Sequence, residues 1–204
     1  GVHAIGQVVN FFTDGTIPIQ NVVRAGNRLL PDDIVLLKAE EADRDFSALH
    51  SVKSKIYIYK VFENELADPF MSRFYWHVNK KLNLEDMQEA LKYIEGEHDF
   101  SSFRSAGGND TSPIREIYEA SCTKENNVYT FKFWGSGFLY HMVRNIVWHL
   151  VEVGKGTKSI AAFKSEFAAG KRHFKVAPAP PQGLYLDYVG YIPHFLADIK
   201  KIRK

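Results

Sequence analysis

The sequence holds a single cysteine, Cys122, so no intrachain disulfide can form, which suits a reducing cytoplasm. It also lacks a membrane-length apolar run. The most apolar helix-like stretch, Tyr140 to Val153, is interrupted by Arg144, His149 and Glu152. Residues Gly1 to Gly6 carry neither a basic n-region nor an apolar core, so no secretory signal is visible there. The motifs GxxxxGKS/T, GxGxxG and HExxH are absent, as are paired cysteines. Nucleotide hydrolysis, dinucleotide binding and a zinc site are therefore unsupported. Charge of one sign is not in excess either. Lys and Arg number 26 against 24 Asp and Glu, for a net charge of +2, which by itself demands no nucleic-acid partner.

What is present is an ordinary globular composition over 204 residues: 45% hydrophobic, 14% aromatic and 25% charged. The positive charge is gathered rather than spread. Lys171, Arg172, His173 and Lys175 form one cluster, Lys200, Lys201, Arg203 and Lys204 another, and Lys53 and Lys55 sit beside an aromatic segment. Such clusters can track phosphates, although a solvated basic face explains any one of them equally.

Periodicity divides the chain into short strands and helices. Gln7 to Thr13, Ile34 to Ala39, Lys55 to Phe62 and Leu184 to Tyr191 have the composition or alternation of strands. Ile114 to Thr123 and Val128 to Trp134, joined by Glu125-Asn126-Asn127, predict a hairpin. Helical spacing marks Pro18 to Leu30, Leu84 to Ile94, Tyr140 to Val153 and Ser159 to Phe167, while Pro69 to Trp76 fits neither period. With no regular strand–helix alternation, the expected class is α+β, a mixed, mainly antiparallel sheet with helices on one face.

Arg144 is the most informative side chain. It lies in the first turns of an apolar helix, where a cation opposes the macrodipole, among Met142, Val143, Ile146 and Val147. A guanidinium held among apolar groups needs an anion or a path to water. Glu152, the nearest acid, is two turns away, so a distant carboxylate, a phosphate or solvent remains. Tyr57 and Tyr59 share one face of their strand, as core aromatics or as a platform on which a base could stack next to Lys53 and Lys55. Cys122, inside a strand, reads as core. His98-Asp99 lacks a third ligand and reads as structural.

Several segments follow one another in a telling order: Gly1-Val2-His3-Ala4 with Gly6-Gln7-Val8-Val9, Asn27 with Leu30-Pro31-Asp32-Asp33-Ile34, and Ser54-Lys55-Ile56-Tyr57-Ile58-Tyr59. Then come Gly96-Glu97-His98-Asp99-Phe100-Ser101-Ser102-Phe103-Arg104, Ser112-Pro113-Ile114-Arg115, Gly137-Phe138-Leu139-Tyr140-His141-Met142-Val143-Arg144-Asn145 and Pro180-Pro181-Gln182-Gly183-Leu184-Tyr185-Leu186. Together they span nearly the whole chain, and they resemble the TruA-type tRNA pseudouridine synthases.

The resemblance implies a fold of two similar halves around a basic cleft, here 1–65 and 66–204, and a cytoplasmic homodimer acting on the anticodon arm of tRNA without cofactor or metal. It implies that Arg144 pairs with a catalytic aspartate, that Tyr57 stacks on the target uracil, and that Leu184 packs against the base. His3 and Lys55 would contact substrate. The family's aspartate stands two residues before the position of Gly1, so the chain begins just after it and is expected to be inactive alone. Two positions depart from the pattern: Tyr140 stands where a second histidine is common, and Leu49-His50 replaces a basic loop position. A non-catalytic RNA-binding fragment is the alternative expectation.

Overall fold

Alternation at the centre of the chain decides the architecture. The structure, a computed structural model, describes residues 1–108, 111–171 and 177–191. Its strands are β1 (His3–Ala4), β2 (Ser54–Glu63), β3 (Trp76–Val78), β4 (Gly96–Asp99), β5 (Ile114–Glu125), β6 (Val128–Gly135) and β7 (Leu184–Gly190). Its helices are α1 (Ile19–Leu29), α2 (Leu84–Leu91), α3 (Met142–Gly154) and α4 (Ile160–Ala168). The sheet runs β1-β7-β2-β6-β5-β4, and β3 pairs with β2. Only β1–β7 and β2–β3 are parallel, so the fold is α+β with a mainly antiparallel sheet.

The period of two along β2 puts Lys55, Tyr57, Tyr59 and Val61 on one face and Ile56, Ile58 and Lys60 on the other. Antiparallel pairing sets Phe133, Phe131 and Tyr129 of β6 directly beside Tyr57, Tyr59 and Val61. Helices α2, α3 and α4 cover this face with Met87, Leu91, Ile146, Val147, Leu150 and Phe163, all buried. Each such side chain contributes about 1.5–3 kcal/mol by leaving water. Cys122 of β5 lies in the same core, and burial pushes its thiol up to about 12. The β5–β6 turn is the pair Asn126-Asn127, with Asn126 at φ 52°, a left-handed conformation that asparagine tolerates. Helices α2 and α4 start on side-chain caps: Asn83 accepts from the Asp86 amide, and Ser159 accepts from the Ala162 amide.

Residues Gly1–Gln7 and the chain from Val52 onward make one compact unit, and Val8–Ser51 make a second. The smaller unit departs from expectation. Neither 7–13 nor 34–39 forms a strand; Val9, Phe11, Phe12, Val35 and Leu37 are exposed, and no ladder partner is present among the described residues. The Leu36 backbone is instead held by the Asn27 side chain, which accepts from its amide at 2.7 Å and donates to its carbonyl at 2.9 Å. Helix α2 also ends before its expected limit, at Leu91, and Gly96 at φ +94° opens β4. The basic residues Arg172, His173, Lys175, Lys200, Lys201, Arg203 and Lys204 lie outside the described residues. Among those described, no helix is long and apolar enough to cross a membrane.

Candidate active site

Arg144 is the third residue of α3, and the turn before the helix fixes its position. His141, the residue preceding α3, sits at φ 59°, an uncommon conformation for a residue other than glycine, and such strain concentrates at functional sites. The helix buries Val143, Asn145, Ile146 and Val147 and leaves Arg144 half-buried at its edge. The guanidinium Nε–H donates to the Ala179 carbonyl at 2.6 Å, and the Ala179 amide donates back to the Arg144 carbonyl at 3.3 Å. Burial draws the Arg144 pKa below its ordinary value, while Tyr59 and Tyr140 act in the opposite sense. Among the described residues no carboxylate pairs with it.

The segment that receives Arg144 also receives Tyr59. Its hydroxyl donates to the Pro180 carbonyl at 2.7 Å, and its ring lies so close to Gly183 that a Cβ there would sit 2.6 Å from it. Only glycine fits that contact. Burial raises the Tyr59 pKa despite the opposing charge of Arg144. Pro181 of the same turn lies against Gly1, a Cβ on which would be 3.2 Å from the proline ring. Leu184 follows the turn, opens β7 opposite Tyr59, and is buried.

Tyr57 is one step along the same face. Its Cα partner on β7 is Leu186, so Leu184 is its diagonal neighbour across the strand pair. The Phe138 ring meets it edge-on at 5.1 Å. Tyr57 is half-buried, desolvation raises its pKa, and its hydroxyl has no hydrogen-bond partner among the described residues. Lys55 shares the face and is half-buried; desolvation lowers its pKa.

Of the residues singled out in the sequence, Arg144, Tyr57, Leu184 and Lys55 therefore lie on the helix side of the sheet. His3 does not join them. It pairs with Tyr185, whose neighbours Ile58 and Lys60 point to the other face. There its ring stacks on Tyr185 at 4.7 Å and on Phe74 at 5.4 Å, and its Nε2 lies 2.9 Å from the Arg73 carbonyl. His98 and Asp99 contact the Glu95 carbonyl and the Ser101 amide, and no metal-binding cluster occurs among the described residues. Sequence reasoning missed the carbonyls of Ala179 and Pro180, which carry no side-chain signal, and Phe138, whose aromatic ring next to a glycine was the available clue.

Among the described residues, a half-buried guanidinium without an acid, a tyrosine hydroxyl without a hydrogen bond and an apolar wall can hold an anion and a flat ring. The family model described as tRNA pseudouridine synthase matches residues 90–191. The tRNA pseudouridine synthase A of Lacticaseibacillus casei (strain BL23) is 41% identical over 193 residues, covering 94% of this chain and 78% of the relative. This chain belongs to the tRNA pseudouridine synthase family. A second member, from Geobacillus sp. (strain WCH70), is 44% identical over 191 residues, or 94% of this chain and 77% of its own length. A third, from Acetivibrio thermocellus, is 41% identical with the same 94% coverage. The synthase match to the family model takes in α3 with Arg144 and β7 with Leu184, whereas Tyr57 lies in the stretch that the full-length relatives cover.

Proposed function

We propose that this chain is the tRNA-binding and base-holding part of an isomerase that converts uridine to pseudouridine in the anticodon arm of tRNA. The reaction breaks the bond from C1′ to N1 of uracil, turns the base, joins C1′ to C5, and removes the C5 proton while N1 takes one up. Atoms balance without a redox partner. The protein's task is to keep an anion ready and to hold a detached ring dry. Arg144 keeps the catalytic aspartate ionised, Tyr57 stacks on the uracil, and Leu184 closes the apolar side. Lys55, on the face of Tyr57, contacts the RNA backbone, and His3 contacts RNA outside the base pocket. The same reading includes a cytoplasmic homodimer with the RNA in a basic cleft between halves 1–65 and 66–204. The family, and for the compartment the single buried thiol, support it.

The observation that carries this reading is Arg144 itself, half-buried, oriented by Ala179 and without a carboxylate among the described residues. A cation in that state binds an anion supplied from elsewhere. Gly1 lies against Pro181, two residues beyond the arginine's anchor, which suits an aspartate arriving just before Gly1. It follows that the 204-residue chain alone does not turn over. Incubating it with an unmodified tRNA transcript and measuring pseudouridine tests this: the expected yield is none above background. Catalytic turnover would overturn the role assigned to the missing aspartate.

A further inference from the structure

We propose that Tyr140 is a second stacking platform, which takes the base next to the target uridine in the bound RNA. This rests on the reading of the chain as a tRNA-modifying protein. Drawing one uridine out of a stack leaves its neighbour with a bare face, and unstacking costs free energy. An aromatic ring beside the base pocket offsets that cost, and it does so for any base, since every base has a π-face. Tyr140 has the required character. It is 48% exposed, its ring stacks on that of His141 with centroids 3.8 Å apart, and its hydroxyl makes no hydrogen bond among the described residues.

A lone exposed ring is common on protein surfaces and by itself marks nothing. This one stands on a fixed seat. The Tyr140 carbonyl accepts from the Ser105 amide at 3.1 Å, and a Cβ on Gly108 would lie 2.6 Å from the Tyr140 Cβ. On one side Leu139 is buried, and its carbonyl accepts from the Met142 amide at 3.0 Å. On the other side His141 is held at φ 59°, a strain that persists only where the surroundings fix it. The His141 carbonyl accepts from the Asn145 amide at 2.9 Å, and the Asn145 side chain donates to the Phe103 carbonyl at 2.6 Å. Little backbone freedom is left to lose when a base arrives, which favours binding.

The place suits a neighbour of the target base. Phe138, two residues earlier, meets the Tyr57 ring edge-on at 5.1 Å, and Arg144, four residues later, lies within the electrostatic reach of Tyr140. One turn therefore carries a ring against the base platform, then a buried leucine, then an exposed ring close to the arginine. Tyr57 is half-buried and Tyr140 is open, which fits one base that reacts and another that only stacks. His141 covers one face of the Tyr140 ring, so a single base completes the stack. Unstacked RNA bases are held on tyrosine faces in this way.

The test uses an anticodon-arm hairpin in which 2-aminopurine, quenched when it stacks, replaces in turn the base on either side of each loop uridine. Bound to the 204-residue chain, one such position is expected to be quenched. Tyr140→Ala should restore its fluorescence and weaken affinity roughly tenfold. Tyr140→Phe should keep the quenching and, within about twofold, the affinity, because stacking needs the ring and not the oxygen. Tyr140→Leu keeps apolar bulk without a π-face, and it should behave like the alanine variant. A leucine variant that matches phenylalanine, or an alanine variant as quenched as wild type, overturns the platform. So does a loss of affinity with no change at any flanking base, which would give Tyr140 a part in shaping the turn alone. A wild-type chain that does not bind the hairpin sinks the tRNA reading and this platform together; wild-type binding without quenching at any position sinks the platform alone.

Discussion

The two ends of β2 hold the same kinds of groups in opposite states. At the Glu63 end both carboxylate oxygens are answered. The carboxylate accepts from the Leu82 amide at 2.8 Å, the Tyr129 hydroxyl at 2.7 Å and Lys124 at 3.4 Å. At the Tyr57 end, a tyrosine hydroxyl has no hydrogen-bond partner and an arginine no acid among the described residues. Tyr59 sits between them, buried and bonded to Pro180. A protein that saturates a carboxylate at one end and, among the described residues, leaves a half-buried cation on a lone carbonyl at the other gives up stability where a ligand is to complete the set.

The largest effect on folding should therefore come from the closed end. Glu63→Gln is expected to cost about 1–3 kcal/mol at neutral pH, read from urea unfolding, because Lys124 and Tyr129 lose their charged acceptor. Burial opposes ionisation of Glu63, but the hydrogen bonds from Tyr129 and Leu82 and the charge of Lys124 outweigh it and hold the carboxyl below its usual range. A depressed value means that the contribution is present above the unfolded value, ~4.3 for Glu, and is lost as pH falls through the folded one. Wild type and variant should converge in acid. A gap that stays constant down to about pH 3 would show that the carboxylate's charge is not what stabilises this end.

A smaller loss is expected between the two ends. Tyr59→Phe removes the donor to Pro180 and should cost about 0.5–1.5 kcal/mol. Since the turn 179–183 also carries Ala179, the same substitution should loosen the seat of Arg144. An unfolding midpoint equal to wild type would mean that this hydroxyl is as uncommitted as that of Tyr57.

Much of this contrast was legible in the sequence, and its missing parts have physical causes. Period-two alternation marked β2 and the β5–β6 hairpin, and period 3.6 marked α2, α3 and α4, because each buries one face against the same core. Strands β1 and β4 carried no such mark; His3–Ala4 and Gly96–Asp99 are too short and too polar to show alternation, and their partners define them. The reverse failure occurs at 7–13 and 34–39, where strand-like composition meets no neighbouring strand. At the site, Arg144 stood out as a charge in an apolar helix. Tyr57 and Tyr59 could not be told apart, since what separates them is a carbonyl 121 residues further on. Nor could sequence place His3, whose face is set by its register with Tyr185.

The smallest effect on stability, and the sharpest test of the contrast, is Tyr57→Phe. The hydroxyl removed makes no bond among the described residues, and the ring keeps its edge contact with Phe138, so folding should change by less than about 0.5 kcal/mol. RNA affinity should survive as well, because a phenyl face stacks on a base about as well as a phenol. On the proposal that the Tyr57 hydroxyl also helps to move the C5 proton, turnover should not survive intact, provided that it is measured in a protein carrying the aspartate before Gly1. Tyr57→Ala supplies the other limit: it removes the platform and should weaken RNA binding by about 1–3 kcal/mol. A phenylalanine variant as unstable as Tyr59→Phe would mean that the hydroxyl is bonded after all. An alanine variant with turnover and affinity both intact would return Tyr57 to the core and leave Arg144 without a ring to serve.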